Sequence, residues 1–134
     1  MELYALITTG NHSEPPSYQR VVTFTAGGRP LLSHPLERDD HLVVAIGSKE
    51  ELAETHTHYA KAHLRKRALD LLAESQEYPD EVICHDGDIE AACYLREKEL
   101  ARSEGPDFYL TERGKDHDPP EQVRPTPWDI QLRN

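Results

Sequence analysis

Ser48-Lys49-Glu50-Glu51-Leu52-Ala53-Glu54-Thr55-His56-Thr57-His58-Tyr59-Ala60-Lys61-Ala62-His63-Leu64 is the stretch on which the fold turns. Ser48 followed by Glu51 is a capping-box pattern: the serine oxygen accepts an orphan amide of the first turn, and the glutamate reaches back to the serine amide. No glycine or proline follows until Tyr78-Pro79-Asp80, so the pattern predicts a long helix over residues 49–75.

Outward from that helix, the flanks read as strands. Residues 41–46 (His-Leu-Val-Val-Ala-Ile) form an apolar run ended by Gly47. Residues 2–8 (Glu-Leu-Tyr-Ala-Leu-Ile-Thr) are almost continuously apolar, as befits an internal strand covered on both faces. Residues 10–17 carry Gly10, Asn11, Pro15 and Pro16 and read as a surface loop. Residues 20–26 alternate, and Gly27-Gly28 supplies the turn of a hairpin. Its return strand, Arg29-Pro30-Leu31-Leu32, is expected to be short or at an edge because proline cannot donate to a ladder.

Downstream, residues 81–85 read as a short strand. Asp86 or Asp88 caps a second helix running to about Ser103, and residues 107–111 add a last strand. The expected class is α+β, or small α/β, with two helices packed on one face of a mixed sheet of four or five strands. A single domain is expected over residues 1–112, and residues 113–134, with Pro119, Pro120, Pro125 and Pro127, read as an extended tail.

Composition narrows the function. The 134 residues carry 25 acids against 15 Lys and Arg, a net charge of −10, which argues against direct binding to a nucleic-acid backbone. No run approaches the roughly 18 apolar residues of a membrane span, and the Met-Glu-Leu-Tyr start lacks the basic and apolar regions of a signal peptide, so a cytoplasmic chain is expected. Cys84 and Cys93 are too few for a disulfide framework and read as reduced.

Three chemistries compete. His56, His58 and His63 suggest a metal, but helix geometry sets His56 and His58 about 160° apart and His56 and His63 about 10 Å apart along the axis. No metal and no cofactor is therefore expected. Taking Ala60, Leu64, Ala68 and Leu71 as the core stripe, His56, Tyr59, His63, Arg67 and Asp70 form a polar row beside it. That row could line a groove for an anionic small molecule, with Arg67 as the fixed charge. Cys84 and His85 point to opposite faces of a strand and cannot make a nucleophile-base pair, which leaves Cys84 as a small buried hydrophobe. Asp86, Asp88 and Glu90 at a strand-to-helix junction resemble a phosphate-directed metal site, but acids there also cap a helix.

The last feature is a one-signed block. From Ala68 to Leu95 there is no Lys or Arg, yet Asp70, Glu74, Glu77, Asp80, Glu81, Asp86, Asp88 and Glu90 are all acidic. Asp70 and Glu74 fall near the helix C-terminus, where the dipole opposes them. The favoured reading is a non-enzymatic interaction protein whose acids Asp70, Glu74, Glu77, Asp80 and Glu81, together with Trp128 of the tail, contact a basic protein partner. By analogy with small phage-borne anti-defence proteins, it would act as an inhibitor occupying the basic surface of a nucleic-acid-handling protein. The alternative is an anionic-ligand binder or phosphate-directed enzyme using His56, Tyr59, His63, Arg67, Cys84, Asp86 and Asp88. Oligomeric state is left open.

Overall fold

A computed structural model describes residues 2–36, 40–83, 88–118 and 124–128. The chain is α+β and divides into two compact units: Met1–His63 with Val123–Asn134, and Leu64–Gln122.

The first unit holds a four-stranded sheet in the order β3-β2-β1-β4, formed by β1 (Tyr4–Thr9), β2 (Ser17–Phe24), β3 (Pro30–Leu32) and β4 (His41–Gly47). Every pairing is antiparallel. β1 is internal and almost wholly buried, as its apolar run requires. Its alternation feeds two clusters: Leu6 packs with Val44, Leu52 and Tyr59, whereas Ala5 and Ile7 pack with Val21. Irregularities between Leu6 and Ile7, and between Val21 and Thr23, shift the register and curl the sheet. The β2–β3 turn is closed by Thr25 N–H donating to the Arg29 carbonyl, with Gly28 at φ 82°.

The long helix α1 (Lys49–Gln76) begins as its capping box dictates. Glu51 N–H donates to Ser48 Oγ at 3.1 Å, and Ser48 N–H donates to Glu51 Oε1 at 3.2 Å. Its buried positions differ from the expected stripe. Leu52 and Tyr59 are buried in the first half, and Ala68, Leu69, Leu72 and Ser75 in the second, while Ala60, Leu64 and Leu71 are only half-buried. Leu52 and Tyr59, seven residues apart, share a face of the first half, and Ala68, Leu69 and Leu72 serve the separate core of the second unit.

The second unit packs Ala68, Leu69 and Leu72 against α2 (Ile89–Glu97), the hairpin β5 (Ala101–Glu104) and β6 (Asp107–Leu110), and Ile83. Residues 81–83 lie beside β6, with Ile83 N–H donating to the Phe108 carbonyl, but they do not form the expected strand; residues 84–87 are outside the described set. α2 stops at Glu97 instead of running to Ser103. Glu99 adopts φ 64° and Leu100 N–H donates back to the Leu95 carbonyl, a left-handed helix end made without glycine. Gly105 and Pro106 make the β5–β6 turn, with Gly105 at φ 61°.

Residues 112–115, at the expected start of the tail, form the short helix α3 (Glu112–Lys115). Thr111 caps it by accepting from Gly114 N–H, and its hydroxyl donates to the Glu99 carbonyl at 2.7 Å. Gly114 is buried, and a Cβ there would overlap the Leu100 carbonyl. Helix propensity alone would make Gly114→Ala stabilising. We expect it instead to lower the unfolding free energy by about 1–3 kcal/mol, read from the urea midpoint. A raised midpoint would contradict the close approach.

Candidate functional site

The last turns of α1 contain no basic residue. Among the described residues four acids of the block have cation partners: Asp70 accepts from Lys66 Nζ at 2.7 Å, one turn earlier, Asp80 accepts from Lys115 Nζ at 3.1 Å, and Asp88 and Glu90 both pair with Arg67. Lys115 also reaches Glu112 at 3.2 Å; its pKa is raised by the hydrogen bonds to Asp80 and Glu112. Glu74, Glu77 and Glu81 are exposed and, among the described residues, have no cation partner.

The backbone gathers these three. Tyr78 N–H donates to the Ser75 carbonyl and Glu81 N–H to the Tyr78 carbonyl, so the chain leaves the helix through consecutive tight turns. Tyr78, 62% exposed, and Val82, 41% exposed, share a pocket lining with Glu74 and Glu81. Beneath them a cavity of about 160 Å³ is lined by Leu71, Ser75, Ile83 and the flanks of Glu74, Tyr78, Glu81 and Val82. Apolar groups bordered by unneutralised acids form a surface that can bury a ring or a lysine stem while holding a cation at its rim.

No protein-family model, curated protein or solved structure matches this chain. The site therefore rests on its own geometry.

The polar row of α1 divides between the two units. In the first, Tyr59 is a core residue whose burial raises its phenol pKa; it stacks on His12 at 6.0 Å. His56 stacks on Tyr18 at 5.1 Å, and His63 Nδ1 donates to the His12 carbonyl at 2.8 Å, so that nitrogen carries a proton. In the second unit, Arg67 grips Asp88 bidentately through one guanidinium edge, Nε to Oδ2 at 2.8 Å and Nη2 to Oδ1. This hydrogen bonding raises the Arg67 pKa further. Asp88 also accepts from Ala91 N–H at 3.2 Å, as the cap of α2. The row's fixed cation is thus committed to a structural carboxylate. Cys84 and Asp86 lie outside the described residues.

Trp128 is half-buried and lines a cavity of about 610 Å³ in the first unit, with Leu31, Leu36, Leu42 and Val43. His41, also on this wall, contacts Glu14 at 2.9 Å. The sequence signal for this cavity was slight, because its walls come from a three-residue strand and proline-rich connections.

The Arg67–Asp88 assignment can be measured. Asn retains the cap to Ala91, so a double-mutant cycle of Arg67→Met and Asp88→Asn isolates the ion pair. We expect a coupling of about 1 kcal/mol, modest because both side chains are one-third exposed. A coupling of zero in urea titrations would return Arg67 to the list of free anion receptors.

Proposed function

We propose that this chain is a non-enzymatic interaction protein that presents the acidic end of α1 to a basic protein partner. The observation that carries the reading is the set Glu74, Glu77 and Glu81, exposed and, among the described residues, without cation partners, near Tyr78 and Val82. Two of these carboxylates sit at a helix C-terminus, where the dipole disfavours them, so local stability does not account for their placement. A basic partner does, because its lysines and arginines would neutralise the acids while Tyr78 fills a pocket as the aromatic anchor. The partner chemistry that fits best is the cationic groove of a nucleic-acid-handling protein, which the acids would occupy in place of phosphates.

The alternative, an anionic ligand on the His56–His63–Arg67 row, has less support because Arg67 is held by Asp88 and both histidines have ring or carbonyl partners.

A tagged wild-type chain and a Glu74→Gln, Glu77→Gln, Glu81→Gln variant, applied to extracts of the source cells at low and high salt, test the proposal. The variant should fold with equal or slightly greater stability. A protein captured by the wild type should be lost from the variant and from wild type at high salt. With that protein purified, the variant's association rate should fall at least about tenfold. Equal capture by the variant, or capture indifferent to salt, would contradict the proposal.

A further inference from the structure

The second unit also carries the opposite charge anomaly. In a chain where acids outnumber Lys and Arg by 25 to 15, Arg65, Lys98, Arg113 and His117 converge on one cavity of about 460 Å³, and none of the described residues lining it is a carboxylate. Its apolar wall is Leu69 and Tyr94, with Leu100 behind. The volume lies within the roughly 300–1,000 Å³ typical of small-molecule sites.

Ordinary structural roles account for Lys98 and Arg113 in part, but not for Arg65. Lys98 follows α2, where the negative helix end favours it, and its ammonium stands 5.6 Å from the Tyr94 ring centroid. Arg113 reaches Glu99 at 3.0 Å on the exposed rim. Arg65 has no carboxylate partner among the described residues, and it lies in the middle of α1, away from either helix end. Leaving like charges together is unfavourable unless an anion joins them.

The cations are also held in place by the backbone. α3 is pressed against Leu100 at Gly114, where only a hydrogen fits. Gln76 Nε2 donates to the Gly114 carbonyl at 2.9 Å and to the His117 carbonyl at 2.8 Å, which ties the segment bearing Arg113 and His117 to the end of α1. Three elements thus present their cations toward one volume without large rearrangement.

We propose that this cavity binds a phosphorylated small molecule of nucleotide size, with the phosphate among Arg65, Lys98 and Arg113 and the organic body against Leu69 and Tyr94. Guanidinium forks suit the several oxygens of a phosphate dianion, and the leucine-tyrosine wall suits a planar body. The proposal is independent of the acidic surface. Arg65 and Glu74 are nine residues apart on α1, about 180° around the axis, so the anion cavity and the acids occupy different faces of that helix.

Calorimetric titration of the full chain with AMP, UMP, inorganic phosphate, adenosine and a single-stranded ten-nucleotide DNA tests it. A nucleoside monophosphate should bind with a Kd between about 10 μM and 1 mM, and phosphate and adenosine at least about tenfold more weakly. Lys98→Ala with Arg113→Ala, both exposed, should weaken that binding at least about tenfold while leaving the urea midpoint unchanged. The proposal is overturned if no monophosphate binds at about 5 mM, if phosphate or adenosine matches the monophosphates, or if the double variant binds as well as wild type. It is also overturned if the oligonucleotide binds at least about tenfold more tightly than either monophosphate, which would make the cavity part of a nucleic-acid surface.

Discussion

The division of α1 between two cores is the constraint on which its buried positions depend. A 28-residue helix with one apolar stripe would serve one core. Here Leu52 and Tyr59 belong to the cluster of Leu6 and Val44, whereas Ala68, Leu69 and Leu72 belong to that of Ala91, Leu95 and Phe108. One continuous helix thus carries two sets of buried positions. Residues that a single-stripe reading assigns to solvent, Tyr59 above all, become core, and Leu64 and Leu71 become boundary residues. Charged side chains can occupy either side of the second half only where the Ala68–Leu72 set leaves room.

That distribution organises the chemistry of the second unit. Arg67 is taken up by the cap residue of α2, which joins two helices through one ion pair and removes the one fixed cation of the expected ligand row. Arg65 and Leu69 face the cavity shared with Tyr94, while Glu74 and Glu77 continue toward the exposed turn at Tyr78. Beside its ion pairs, this unit keeps the acids Glu74, Glu77 and Glu81 at one place and the cations Arg65 and Lys98 at another. Mixed charges mainly confer solubility, whereas separated charges create local fields that attract ligands of defined sign. The proposed protein contact and the proposed anion cavity are two consequences of the same separation.

Much of the fold was legible in the sequence, and the exceptions share a physical origin. The capping box at Ser48 and Glu51, the internal strand at residues 2–8 and the Gly27-Gly28 turn all rest on local chemistry, and each forms. The end of α2 did not show, because Glu99 takes a left-handed conformation that sequence normally signals with glycine, and the burial of Leu100 and Ala101 stabilises it. The Gly105-Pro106 pair was visible, but whether it ends a helix or turns a hairpin depends on pairing between β5 and β6. The acidic block was plain as a charge run. Its division into partnered acids and free ones required Lys66 and Lys115 to be placed. The cationic cavity left no sequence trace at all, since Arg65, Lys98, Arg113 and His117 are scattered over more than 50 residues and meet only through tertiary packing.

The central claim is that the carboxylates at the end of α1 are a contact surface and not merely a solubilising face. Zero-length coupling of carboxylates to amines, performed on the chain in extracts of its source cells and mapped by peptide mass spectrometry, reads this residue by residue. Cross-links to lysines of one protein should concentrate at Glu74, Glu77 and Glu81, and should be sparse at Glu50 and Glu54, also exposed, near the start of α1. Cross-links spread evenly over all exposed acids, or concentrated at Glu50 and Glu54, would contradict it.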